Sequence, residues 1–465
     1  MELQRLRLGL LALTQLIVAL DYNIVYVALP DIGQALGFGP SSVQWVVSAY
    51  AVGLGGFLLL GGRAVDRLGA RRMFVAGLAL YGIASLAGGL ASGAGALVAA
   101  RAVQGVGGAL LTPATLTLIY RGFAEGPERN RALGVWGMAG SSGLAAGSLL
   151  GGVLTNYLGW EWVFFVNVPL ALGCALAAPR LLPADPARSP GGFDVPGAAL
   201  GTAGSALLVF GLASATDVGW GTLRGGGALA AGVLLLALFL TVETRTREPL
   251  VPLHLVRSRG LAVTMIVIAV FQGTLGGGYY ILTCYLQPVL GYSSLQAGLT
   301  FLPLTVTCMI AALKATPVLL GRWGIRTTLA VAMAGTGTGI AVLIAGATPG
   351  GGFWTLLPGS AVWGFFGGVA FVALFAAAGS GVAPHEQGVA SGLAATTKEL
   401  GGALGLAVFV AIATSSADPL DGLHAAGWTV AAVTVAGGVI ALAYPPSRPA
   451  PGPGVVPETL QGASK

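Results

Sequence analysis

GGRAVDRLGARR, residues 61–72, puts four arginines and one aspartate between two apolar runs near residues 43–62 and 73–91. A basic turn closing one long apolar run and opening the next is the signature of two membrane crossings joined on the side where Arg and Lys collect. A second turn of the same kind, GRWGIR at 321–326, lies 255 residues further on and again follows an apolar run. Arg-x-Gly-x-Arg at matching places in two apolar stretches predicts a chain built from two related halves, a common plan for secondary transporters.

The rest of the chain fits that frame. Only 9% of the 465 residues are charged and 55% are hydrophobic; soluble domains carry roughly 25% charge, so no soluble surface of this size could be built from these residues. Apolar runs recur near 8–29, 43–62, 73–91, 95–119, 132–154, 162–181, 197–215, 226–242, 260–282, 294–315, 327–346, 354–376, 388–412 and 425–444. The expected fold is therefore an all-α integral membrane protein: two six-helix bundles and two inserted spans, fourteen transmembrane helices in all. The expected division is an N-terminal bundle over 1–182, a linker and the inserted spans over 183–259, a C-terminal bundle over 260–444, and a disordered tail over 445–465. PADPARSPGGFD (183–194), rich in Pro, Gly and charge, reads as the start of the linker. No small-residue cleavage site follows the first apolar run, so that run is expected to stay as a helix.

Placing the N-terminus inside orders the basic residues. Nineteen of the 23 Lys and Arg residues then fall in inner segments, Arg224 alone falls in an outer loop, and Arg101, Lys314 and Lys398 lie within spans. This bias predicts cytoplasmic N- and C-termini. It also disposes of nucleic acid as a partner despite a pI near 9.4, because the basic charge is spread over many short loops. There is no Gly-Lys pair, hence no phosphate-cradling P-loop, and no HExxH or clustered metal-ligand spacing around His254, His385 and His424. An enzyme is not expected, and neither a cofactor nor a metal is called for. Cys174, Cys284 and Cys308 sit inside apolar runs and read as reduced core residues.

Charges within spans mark function by default. In LIVALDYNIVYVALP (16–30), Asp21 is the one charge. Asp21 in the first span and Arg101 in the fourth lie about 12 Å and about 9 Å from the outer ends of their helices at 1.5 Å per residue. Acid and base thus share a depth in one half, as a proton-loading carboxylate with its counter-ion or as a static helix clamp. Lys398 and Glu399 fall near the middle of the thirteenth span. Neighbours on a helix diverge by about 100°, so the two need not pair with each other. Glu399 reads as a second titrating group, a cation contact or one member of an ion pair with another span. Lys314 lies near a span end, where it can snorkel. Gly143, Gly147 and Gly151 recur every fourth residue in the fifth span, and Gly388, Gly392, Gly401 and Gly405 form similar pairs in the thirteenth. Such rows let a second backbone come close, either as fixed packing or as surfaces along which two halves touch and part.

These segments resemble the major facilitator superfamily, and within it the fourteen-span drug:proton antiporters, over roughly residues 10 to 445. LDYNIVYVALP (20–30) is similar to that branch's first-span motif, with Asn23 and Tyr26 where Thr and Asn are usual. GGRAVDRLGARR resembles the loop motif between spans two and three. LVAARAVQGVGGA (97–109) resembles the fourth-span motif, with Arg101 and Gln104 in its positions. GLAAGSLLGG (143–152) resembles the fifth-span antiporter motif, with Gly147-Ser148 where Gly-Pro is usual. WEWVFFVNVPL (160–170), FDVPG (193–197) and VGWG (218–221) are similar to further segments of the branch.

The resemblance implies alternating access about a central cavity, with proton entry driving export of a lipophilic drug or antibiotic across the cytoplasmic membrane by a monomer. It implies that Asp21 carries the proton while facing a hydrated cavity, with Arg101 as its partner. It implies a gate in the loop of Gly62, Asp66, Arg67, Gly69 and Arg71, where Asp66 meets a helix N-terminus or a neighbouring arginine when the inner side closes. Ser148 and the altered first-span motif leave a second reading open: a proton-coupled importer of a small metabolite on the same fold.

Overall fold

The computed structural model describes residues 2–446 except 39–41, 44, 186–193, 247–248, 250 and 293. Most of the expected linker and the expected tail from 447 onward lie outside the described residues. Among those described, the regular structure is helical throughout. An apolar run in hydrocarbon must satisfy its own backbone N–H and C=O groups, and a helix does this within a single segment.

The N-terminal bundle comprises α1 (Glu2–Ala35), α2 (Trp45–Leu68), α3 (Ala70–Gly89), α4 (Ala94–Gly122), α5 (Pro127–Leu158), and α6 (Trp162–Phe165) with α7 (Asn167–Leu181), which follow one another across Val166. The inserted pair is α8 (Val195–Val218) and α9 (Ala228–Glu243). Asp194 starts α8 by accepting the Gly197 N–H at 2.9 Å, with Pro196 in the first turn where a missing N–H costs nothing. A short α10 (Leu253–Arg257) leads into α11 (Arg259–Cys284). The C-terminal bundle continues with α12 (Ser294–Thr300), α13 (Leu302–Ile310), α14 (Thr316–Gly346), α15 (Phe353–Gly379), α16 (Gln387–Ala413) and α17 (Pro419–Ala441). A π-helical turn at Ala311–Ala315, which carries the exposed Lys314, joins α13 to α14.

The two bundles repeat one packing scheme. In the first, α1 packs on α5 and α7, α2 on α4, and α3 on α4 and α7. In the second, α11 packs on α16 and α17, α13 on α15, and α14 on α15 and α17. The repeated turns obey the same geometry. Gly69 in DRLGAR has φ 104° and Gly324 in GRWGIR has φ 70°, a region that a Cβ makes costly. Gly324 therefore breaks α14 where the tenth and eleventh spans were expected to meet. The inserted pair lies beside the bundles, with α8 against both α2 and α16.

Among the described residues, eleven helices are long and apolar enough to cross a membrane; one of these, 296–346, contains the break at Gly324. The helices α5 and α8, 32 and 24 residues long, are not among the eleven.

Candidate functional site

Asp21 is fully buried and its carboxylate is saturated. Oδ2 accepts from the Arg101 guanidinium at 2.7 Å. Oδ1 accepts from the Gln104 amide at 2.9 Å and from the Asn167 amide at 2.8 Å. Arg101 in turn donates to the Val46 carbonyl at 2.8 Å and to the Gln104 carbonyl oxygen at 2.7 Å. Gln104 also donates to Ser85 at 2.9 Å. One turn of helix separates Arg101 from Gln104, so both side chains of α4 reach the same carboxylate. Charge-assisted bonds on both oxygens are what makes an ionised acid tolerable at this depth.

The sequence paired Asp21 with Arg101 by depth, and the structure joins them. It does not place Asp21 on a cavity. The carboxylate lies inside the N-terminal bundle, and the Tyr50 ring covers its partner, the Arg101 guanidinium, with 4.6 Å from the guanidinium carbon to the ring centroid. Phe164 lies 5.9 Å from the same carbon. Ser85, Asn167 and Tyr50 went unrecognised as members of the site. Asn167, a lone amide in the apolar run VFFVNVPL, was the available signal.

The glycine row of α5 serves this site rather than the boundary between bundles. A Cβ on Gly143 would lie 2.5 Å from the Leu16 carbonyl oxygen, one on Gly147 2.5 Å from that of Leu20, and one on Gly151 2.9 Å from that of Ile24. The row thus lets α5 lie directly on the stretch of α1 that carries Asp21. Contact across the boundary falls to other glycines of α5: Gly134 meets Ala312, and Gly137 meets Val372. In α16 the two pairs divide. Gly388 and Gly392 meet α2 across the boundary, whereas Gly401 and Gly405 pack on Ala269 and Gly273 of α11 within the C-terminal bundle.

Between the bundles lies a cavity of about 230 Å³. Tyr22 and Tyr50 line it from one bundle, and Phe271, Tyr279, Trp363 and Phe371 line it from the other. Lys398 and Glu399 also line it. Although neighbours on a helix need not pair, these two do, with Nζ 2.8 Å from the carboxylate.

At one end of the bundles Asp66 bridges the boundary. Its Oδ1 accepts the Gly388 N–H at 2.9 Å and its Oδ2 the Val389 N–H at 2.8 Å, both in the first turn of α16. Arg121 adds a contact at 3.2 Å and donates to the Pro384 carbonyl at 2.6 Å. A carboxylate is well placed there, because the first-turn N–H groups lack helical partners and carry the positive end of the helix dipole. Gly62 permits the approach: a Cβ there would lie 2.5 Å from the Gly388 carbonyl oxygen. The other loop residues serve the N-terminal bundle. Gly69 makes the turn, and Arg71 donates through its backbone to Asp185 at 2.9 Å and through its side chain to the Leu182 carbonyl at 3.3 Å.

The profile of the Major Facilitator Superfamily matches residues 11–406. The chain belongs to the major facilitator superfamily. It is a multi-pass membrane transporter, not an enzyme. It is 38% identical over 416 residues to the cephamycin export protein CmcT of Amycolatopsis lactamdurans, covering 86% of this chain and 83% of that one. It is 40% identical over 407 residues to the puromycin resistance protein pur8 of Streptomyces alboniger, covering 86% and 80%. The human organic anion transporter MFSD10 shares the fold at a TM-score of 0.71, covering 94% of this chain and 99% of that one at 17% identity. For a major facilitator transporter the three features above fall into place as a buried ionisable group, a central cavity and a contact that ties the bundles at one end.

Proposed function

We propose that this chain is a proton-driven exporter of small lipophilic compounds of the antibiotic class, working by alternating access. The observation that carries this reading is the Asp21–Arg101 pair, 2.7 Å apart, whose guanidinium lies under Tyr50, a residue that also lines the central cavity. In this reading Asp21 takes up a proton when its contact with Arg101 is loosened. Rotation of Tyr50, or separation of α1 from α4, loosens it. Cargo in the cavity touches Tyr50 directly, so proton and cargo sites share one moving part. The export direction is supported by the relatives, whose names describe an export protein and a resistance protein.

The rest of the proposal is topological. Fourteen crossings follow if Gly324 divides 296–346 into two spans and if α5 and α8 also cross. The divisions 1–182, 183–259 and 260–444 then give two bundles and an insert. Both termini are assigned to the cytoplasm, which makes the Asp66 end the inner one, and the chain is assigned as a monomer. Glu399 is assigned to the cavity.

Everted membrane vesicles test the reading. An imposed proton gradient, acid inside, is expected to drive a fluorescent lipophilic compound such as ethidium or Hoechst 33342 into the vesicles, and a protonophore to release it. Gradient-driven movement of cargo out of the vesicles would instead establish the importer.

A further inference from the structure

The cavity lining contains one cation and one anion, Lys398 and Glu399, bound to each other at 2.8 Å and each retaining partial exposure, 29% and 21%. We propose that this pair is a reader for zwitterions, and that the cargo class is aromatic compounds bearing both an amine and a carboxylate. The proposal rests on the transport reading above.

The reasoning is electrostatic. A ligand ammonium entering alone can reach Glu399 only beside the Lys398 ammonium, and a ligand carboxylate reaches Lys398 only beside Glu399. Each singly charged ligand either tolerates a like charge at close range or breaks the pair and leaves one partly exposed protein charge without its partner in a largely apolar cavity, the less favourable outcome. A ligand carrying both charges avoids this. Its ammonium takes Glu399 and its carboxylate takes Lys398, so one ion pair becomes two and no charge is left over. The neighbouring walls fit the rest of such a molecule. Tyr279 and Trp363 meet edge to face with 5.4 Å between their centroids, and Phe271 and Phe371 supply further ring surface. Gln15 and Gln272 add neutral donors and acceptors.

Four probes with one two-ring body separate the possibilities: naphthylalanine (zwitterion), naphthylalanine amide (cation), N-acetyl-naphthylalanine (anion) and N-acetyl-naphthylalanine amide (neutral). Binding is measured by equilibrium dialysis of tritiated probe against the full chain in nanodiscs at neutral pH. The zwitterion is expected to bind about tenfold or more tighter than the cation and the anion, the scale of one close charge pair. Lys398→Gln is expected to move the preference to the cation, and Glu399→Gln to the anion. The exchanged pair Lys398→Glu/Glu399→Lys is expected to restore the preference for the zwitterion. Should a single variant fail to fold, the order of the four probes on the native chain and on the exchanged pair still decides. Equal binding of all four, tightest binding of the cation, or no binding of any would overturn the proposal. Proton-driven flux of other cargo through a chain that binds none of the four would overturn only this substrate class. A probe that binds but never moves with the proton gradient would overturn the transport reading and leave the binding site intact.

Discussion

The Tyr50 ring lies across the Arg101 guanidinium, 4.6 Å from its carbon, while the same residue lines the central cavity. One side chain therefore borders both the buried ion pair and the central cavity, and it is the proposed wall between them. Removing that wall admits water to Asp21 whether or not cargo is present. Tyr50→Ala is expected to let protons leak through proteoliposomes without cargo, read with a trapped pH-sensitive dye, and to lose about 3–5 kcal/mol of stability as a buried ring and its cation–π contact go. Tyr50→Phe keeps the ring and is expected to stay coupled. A tight, fully coupled Tyr50→Ala transporter would mean that Tyr50 does not separate the two sites.

Asp21→Asn keeps the shape of the side chain and removes its charge. Arg101 is then buried without its anion, a loss worth about 3–5 kcal/mol when one partner of a buried pair is removed. The variant is expected to melt well below the native chain and to show no gradient-driven flux between pH 6 and 8. The double variant Asp21→Asn/Arg101→Gln removes both charges and is expected to recover much of the melting temperature but none of the flux. Strictly additive melting shifts across this cycle would show that the 2.7 Å contact is energetically silent.

Gly147 tests the seat of that pair. A methyl group there would meet the Leu20 carbonyl oxygen at 2.5 Å, immediately before Asp21 in the chain. Gly147→Ala is expected to push α1 from α5, costing about 1–3 kcal/mol as overpacking does, and to slow flux with it. Gly152→Ala, in the same helix with open space around its Cβ position, is expected to be silent in both assays. Equal effects of the two would remove the packing account.

How much of this was legible in the residues follows from what an apolar run encodes. Hydropathy gives a helix's existence and a charge's depth along it, so Asp21 and Arg101 could be paired by level alone. The Arg-x-Gly-x-Arg repeat gave two matching turns, and Gly69 and Gly324 both have positive φ. Hydropathy does not give rotation about the helix axis when most of the helix surface is apolar. Burial of Asp21 away from the cavity, the bonds from Asn167 to Asp21 and from Gln104 to Ser85, and the direction of the α5 glycine row all depend on that rotation. The Lys398–Glu399 pair was not legible for a related reason: backbone divergence of neighbours says little about where two long side chains end.

Asp66 supplies the last test. It caps α16 from the opposite bundle, with its oxygens 2.9 and 2.8 Å from the Gly388 and Val389 nitrogens. Asp185, just after α7, makes the same kind of cap without joining the two bundles, accepting from the Arg71 and Arg72 nitrogens of α3 at 2.9 Å each. The chemistry is matched, two first-turn N–H groups on one carboxylate, and only the location differs. If the Asp66 cap holds the proposed inner end shut, losing its charge must shift the conformational balance, whereas losing that of Asp185 must cost stability alone. Asn keeps one carbonyl oxygen for one N–H and turns an NH2 group toward the other, so each variant loses at least one charge-assisted bond. Asp66 also loses the Arg121 contact at 3.2 Å. Cys308 lines the cavity and serves as the reporter once Cys174 and Cys284 are replaced by alanine. Labelling of Cys308 by a membrane-impermeant maleimide from the inner side is expected to quicken in Asp66→Asn by about 5- to 150-fold, the range of a 1–3 kcal/mol coupling. In Asp185→Asn the labelling rate is expected to stay at the native value while the melting temperature falls. Equal labelling rates in both variants would make the Asp66 contact a helix cap like any other and leave the gate without a residue.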